Sequence, residues 1–177
     1  MESPAAATYT PDSTPQTETS TLTFFCLEPG QDSTAFRVLN EEWIQRFFTL
    51  EAVDHEILNH PEDSILAKGG RILQVAQAGV TVGCLALIPK QPGVCEVGKM
   101  AVAPDRRGLG IGRKRLAFAL EQAAEMGLRK LTLNSSTRLP NAVHLYESVG
   151  FHHLPKQQWP PSEYLRTDVV MEMDLPR

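Results

Sequence analysis

Three glycines at alternate positions, in Arg107-Gly108-Leu109-Gly110-Ile111-Gly112, constrain this chain more than any other stretch. They follow a β-rich run, Val94 to Ala103, which Pro104-Asp105 closes. From Gly108 a helical pattern begins, with Ile111, Leu116, Ala119, Leu120, Ala123 and Met126 on one apolar stripe that Gly127 stops. A strand that turns through glycines into a helix leaves the first helical N–H groups unpaired, and no Cβ keeps a ligand away from them. Such a terminus attracts anions. Five of the 17 Lys and Arg residues lie between Arg106 and Arg115, in a chain of formal net charge -4. Arg113, Lys114 and Arg115 fall where the helix macrodipole disfavours exposed cations by about 0.3–1 kcal/mol each. A bound anion reverses that sign, and the combination suits a pyrophosphate. The same residues also fit a plain strand-to-helix turn with a solvated basic face.

Spacing excludes two other phosphate loops. A Walker loop needs Gly-x-x-x-x-Gly-Lys-Ser/Thr, but Lys114 is followed by Arg115, which offers no hydroxyl to magnesium. The dinucleotide fingerprint Gly-x-Gly-x-x-Gly fails because Arg113 stands at the third glycine position after Gly108 and Gly110.

Elsewhere, Leu22 to Leu27 reads as a strand. Ser33 to about Leu58, with Phe36, Leu39, Trp43, Phe47 and Leu50 at helical spacing, reads as one or two helices. Ile72 to Ala78, Val80 to Ile88 and Val94 to Ala103, punctuated by Gly79 and Gln91-Pro92-Gly93, suggest an antiparallel meander. Then come a short strand at Leu131 to Leu133, a helix from Asn141 to Val149, and closing strands at Phe151 to Leu154 and Val169 to Met173. Strands followed by βαβα units predict one mixed, mostly antiparallel α/β sheet flanked by helices, in a single domain over 21–177. Residues 1–20, rich in Thr, Ser, Pro and Ala, are expected to form a disordered leader.

A sequence pI near 5.7 gives no reason to expect a nucleic-acid or anionic-membrane partner. There is no apolar run of ~18 residues and no secretory or transit pattern, so a cytoplasmic location is expected. Cys26, Cys84 and Cys95 are odd in number and far apart, which reads as reduced thiols. His144, His152 and His153 lack metal-ligand spacing, and no metal site is expected.

Arg107-x-x-Gly110-x-Gly112 after a strand resembles the Arg/Gln-x-x-Gly-x-Gly/Ala motif of the GCN5-related N-acetyltransferase (GNAT) superfamily, in a small bacterial-type branch. Val97-Gly98-Lys99-Met100-Ala101-Val102-Ala103-Pro104 is similar to the strand that precedes that loop, and the run from Asn141 to Phe151 is similar to the superfamily's second motif. Together these cover about half the chain. The resemblance implies a sheet splayed at its fourth strand and acetyl-CoA as co-substrate, with no metal. The backbone of Met100, Ala101 and Val102 would take the pantetheine arm, and a main-chain N–H near Met100 would polarise the thioester carbonyl. N–H groups from Arg107 through Gly108, Leu109, Gly110, Ile111 and Gly112 to Arg113 would hold the pyrophosphate. Asn134 and Asn141 are further cofactor contacts by the same resemblance, although Asn141 also reads as a helix N-cap.

The chemistry implied is direct attack by an amine in a ternary complex. An alkylamine of pKa near ~10.4 is only about 0.04% unprotonated at pH 7, so a base must help. Glu96 falls where several superfamily members carry one, and strand alternation puts it on the face of Gly98 and Met100. A solvent-exposed strand-end glutamate is the plainer reading. Tyr146 matches the general-acid position, and its ordinary pKa of about 10 keeps it protonated at neutral pH. For the acceptor, Trp43, Phe47, Glu51 and Asp54 lie at helix-like spacing and offer aromatic walls beside carboxylates, as would an amphipathic core helix with solvated acids. Arg166 suits an acceptor carboxylate. A small metabolite, an amino acid or amine, is the expected substrate. A protein lysine or N-terminal acetyltransferase and a non-catalytic CoA-binding module are the alternatives. An exposed edge at the final strand permits a homodimer.

Overall fold

The computed structural model describes residues 21–176, so the expected leader lies outside the described residues. Four antiparallel strands open the sheet: β1 (Leu22–Cys26), β2 (Arg71–Gln77), β3 (Val80–Gln91) and β4 (Val94–Val102). Between β1 and β2 lie α1 (Thr34–Phe47), α2 (Ala52–Asn59) and a single π-helical turn, Glu62–Leu66. After β4 come α3 (Ile111–Glu125), β5 (Lys130–Ser135), α4 (Pro140–Val149), β6 (His152–His153) and β7 (Val169–Asp174). The strands stand in the order β1-β2-β3-β4-β5-β7-β6, and only β4 and β5 run parallel. The mixed, mostly antiparallel sheet expected from the sequence is the one found.

Helices cover both faces, so β3 is apolar on both sides. Leu85 and Leu87 join Leu116, Leu131 and Met171 in a core beneath α3 and α4. The alternate residues Cys84, Ala86 and Ile88 meet Phe36, Ile44 and Ile57 beneath α1 and α2. This period of two fixes the register of the meander.

One break in that period builds the cleft. The β3–β4 register shifts between Cys84 and Ala86, and Lys99 opposite the shift adopts φ 51°. This is a β-bulge, which bends and twists its strand. β4 pairs with β5 only from Val94 to Glu96, and past Glu96 the two strands part. The splay implied at the fourth strand is therefore present.

Several boundaries differ from the sequence reading. Phe48 to Leu50 separates two helices, and Glu51 and Asp54 form a reciprocal capping box at the start of α2. They do not continue the face of Trp43 and Phe47. α3 begins at Ile111 because Gly108 and Gly110 take positive φ, 78° and 79°, outside the helical region. Leu139 is the cap residue of α4, Pro140 fills its first turn, and Asn141 lies within the helix instead of capping it. The final strand is not an edge, because His152 and His153 of β6 pair with Glu172 and Met171 of β7.

Candidate active site

The glycine loop ends β4 and opens α3 with its amides free. Gly110 is the N-cap residue and contributes no capping side chain. The N–H groups of Gly108, Leu109 and Gly110 have no hydrogen-bond partner among the described residues. With the unpaired first amides of α3, they form a concave set of donors at the positive end of the helix dipole.

The basic side chains divide in a way that spacing did not reveal. Arg107 folds back onto its own strand, donating from Nε to the Val102 carbonyl at 3.1 Å and pairing with Glu42. Arg113 is exposed and donates to Ser148 Oγ at 2.7 Å. Arg115, expected with its neighbours around a ligand, instead points inward and is buried. Its Nη1 donates to the carbonyls of Cys84 at 2.9 Å and Ala101 at 2.5 Å, tying α3 to β3 and β4. Gly112 also has a packing reason: a Cβ there would lie 3.2 Å from Leu145 Cδ2 of α4.

The edge of β4 beyond the splay is open. Ala103 donates its N–H to the Val82 carbonyl, so two residues back Ala101 also faces β3. Met100 and Val102 face away from β3, and Arg107 Nε meets the Val102 carbonyl on that side. Ala101 is buried, its side chain in the core beneath α1.

Where β4 and β5 part, a cleft is lined by Trp43, Glu96, Gly98, Met100, Asn134 and Tyr146, together with Phe48, Tyr164 and Arg166. α4 presents Tyr146 to it. The ring packs against Phe151 at 6.3 Å between centroids. The hydroxyl has no hydrogen-bond partner among the described residues. Burial pushes the Tyr146 pKa up to about 12, although the Arg115 cation pulls the other way. Glu96 is 4% exposed and pairs with Lys90 Nζ at 2.9 Å, so it is not a solvated strand-end residue. Burial tends to lower the Lys90 pKa, but the carboxylates of Glu96 and Glu163 outweigh it and hold Lys90 above its usual value. Glu96 and Gly98 share a face, since a Cβ on Gly98 would meet Glu96 Oε1 at 3.3 Å. Met100 does not share it. The bulge at Lys99 turns Met100 toward the α3–α4 core.

Of the other expected residues, Asn134 and Trp43 line the cleft, whereas Asn141 is exposed on α4 and does not. Glu51 is not part of the cleft's lining and accepts from the Leu165 N–H at 2.8 Å and from Arg166 at 3.0 Å. Arg166 is already engaged, with Nη1 and Nη2 on Asp54 at 2.6 and 2.7 Å.

Asp54 is the centre of a network that sequence reasoning missed. Lys99 Nζ donates to Asp54 Oδ1 at 2.6 Å and lies 3.0 Å from the Tyr164 hydroxyl. Asn40 Nδ2 donates to the Lys99 carbonyl at 3.1 Å and to that of Phe36 at 2.9 Å, holding the bulge against α1. Burial alone would raise the Asp54 pKa, but Arg166 and Lys99 overcome it and lower it to about 2. Burial lowers the Lys99 pKa, with Asp54 opposing. One signal was available: Lys99 is the single charged residue in the otherwise apolar and small run from Val97 to Ala103.

A sequence model described as the acetyltransferase (GNAT) family matches residues 35–151. This chain belongs to the GNAT family. A GNAT chain is an N-acetyltransferase, as the sequence motifs implied. An uncharacterised N-acetyltransferase of Schizosaccharomyces pombe is 29% identical over 136 residues, spanning 75% of this chain and 83% of that one. Among solved structures, a GNAT acetyltransferase of Staphylococcus aureus superposes with TM-score 0.78 at 17% identity, covering 88% of this chain and 100% of that one. N-acetylglutamate synthase of Neisseria gonorrhoeae, in complex with coenzyme A and N-acetyl-glutamate, superposes with TM-score 0.67 at 18% identity. The match covers 89% of this GNAT chain and 36% of that protein. Among the described residues no helix is long and apolar enough to cross a membrane.

Proposed function

We propose that this GNAT chain transfers the acetyl group of acetyl-CoA to a primary amine of a small metabolite, the amine attacking directly while both substrates are bound. One observation carries the reading: a single cleft joins the open β4 edge, the buried carboxylate of Glu96 and the hydroxyl of Tyr146, which has no hydrogen-bond partner among the described residues. The residues fit the co-substrate. The amides of Gly108 to Gly110, unpaired among the described residues, suit a diphosphate, and the edge at Met100 and Val102 suits an extended arm. That Asn134 lines the same cleft supports a role for it in contacting that arm. When bound, the thioester supplies the activated acyl group. Glu96 takes a proton from the substrate ammonium at a carboxylate oxygen, directly or through a water, and the neutral amine so freed attacks the thioester carbonyl. Tyr146 holds a proton at its hydroxyl and donates it toward the departing sulfur. Arg107 and Arg115 brace the strand and helix that carry these groups, and the amides do the anion binding.

CoA release across a panel of amines, amino acids and peptides tests the reading, with turnover of free amines expected. Turnover confined to peptides, or none at all with acetyl-CoA bound, contradicts it. In the same assay Glu96→Gln, which keeps the side chain's size but cannot accept the proton, is expected to lower kcat/KM about 100-fold. A Glu96→Gln enzyme within about threefold of wild type in kcat/KM would remove Glu96 from the proton path.

A further inference from the structure

The cleft adjoins a second, more open groove, and Phe48 and Arg166 line both. Its charges are lopsided. Arg46, Arg138 and Arg166 line it against Glu51 alone. Arg166 is spent on Asp54 and Glu51, so it serves as a wall and is not free for an acceptor carboxylate. Arg46 and Arg138 have no carboxylate partner among the described residues, although the chain as a whole is acidic. Both are braced by aromatic rings. Arg46 Cζ lies 5.5 Å from the Phe47 centroid and Arg138 Cζ 4.8 Å from that of Phe48. The Phe48 ring also carries Arg166, at 5.8 Å on the same measure. Of the two guanidinium groups on Phe48, Arg166 is neutralised by Asp54 and Glu51, which leaves Arg138 as the uncompensated cation on that ring. The arrangement leaves planar guanidinium forks beside the acceptor end of the cleft, where they suit an oxyanion.

We infer that this groove seats an anionic group of the acceptor, so that the substrate is an amine bearing a carboxylate or phosphate, with Arg138 as the specificity-determining residue. The inference rests on the small-amine reading above. The acceptor lies across Phe48, its amine toward Glu96 and its anion toward Arg138.

Three matched series of the same chain lengths test it: ω-amino carboxylates, ω-amino phosphates and the neutral ω-amino amides. At least one anionic series is expected to exceed its amide in kcat/KM about tenfold or more, with the ratio shrinking as salt is added. Arg138→Met is expected to bring that ratio close to one, and Arg138→Lys to restore part of it. Equal turnover of anions and amides, or a ratio unmoved by Arg138→Met, overturns the inference and leaves small-amine acetylation standing. Turnover of none of the three series, with acetyl-CoA still raising the melting temperature, overturns both.

Discussion

Tyr146→Phe is expected to lower kcat about 100-fold while changing the melting temperature by less than about 2 °C. The two effects separate because the ring and the hydroxyl do different things. The ring is core, packed on Phe151, and Phe keeps that contact. The hydroxyl has no protein partner among the described residues, so its removal strands no buried donor or acceptor. General-acid groups contribute about 10²–10⁴ in rate. Burial raises Tyr146 to about 12, which keeps it protonated across the neutral range but makes it a weak acid. That places the loss at the low end. The wild-type rate should also show no alkaline loss from this group below about pH 11. A Tyr146→Phe enzyme within about threefold of wild type in kcat would remove the hydroxyl from the reaction.

Asp54→Ala is expected to cost about 3–5 kcal/mol, because it leaves Lys99 and Arg166 facing each other without their shared anion. For a domain of this size that is a fall in melting temperature of about 10 °C or more. The pH dependence follows from the Asp54 pKa, lowered to about 2 against an ordinary 3.8. A depressed folded-state pKa contributes stability that is present above the unfolded value and lost as pH falls through the folded one. The contribution, about 2 kcal/mol, should therefore fade between about pH 4 and pH 2. Urea denaturation of the wild type and Asp54→Asn across that window should show their difference narrowing. Lys99→Met in the Asp54→Ala background should recover part of the loss, since it removes one of the stranded cations. A melting temperature unchanged in Asp54→Ala would show that the network carries no stability.

What the sequence made legible follows from how its signals arise. The glycine loop, the meander and the α3 and α4 stripes are local patterns, and each was read close to its observed bounds. Contacts between distant segments were not legible. Asp54 and Arg166 lie 112 positions apart, and no periodicity joins them. The bulge at Lys99 was hidden because a lysine, not a glycine, takes the positive φ there. That one residue reversed the face assigned to Met100. Arg115 shows the opposite case. It lies at helical spacing with Ile111, Ala119 and Gln122, all buried, so its burial was open to a stripe-based reading that weighed position above charge. Cys84 and Cys95 are buried thiols whose pKa values burial raises to about 12 and about 11, consistent with the reduced state expected of them.

On the proposed function, the loop from Arg107 to Gly112 holds the diphosphate of acetyl-CoA. Thermal denaturation of the wild type and of Gly110→Asp, each with and without acetyl-CoA, tests it most directly. A ligand at 100 times its Kd stabilises the folded state by about 2.7 kcal/mol, a readily measured shift. At Gly110 the φ of 79° disfavours a side chain, and a carboxylate there would repel a diphosphate. A rise of several degrees is expected for the wild type and little or none for the variant, each against its own ligand-free melt. No rise in the wild type, or an equal rise in Gly110→Asp, would contradict it.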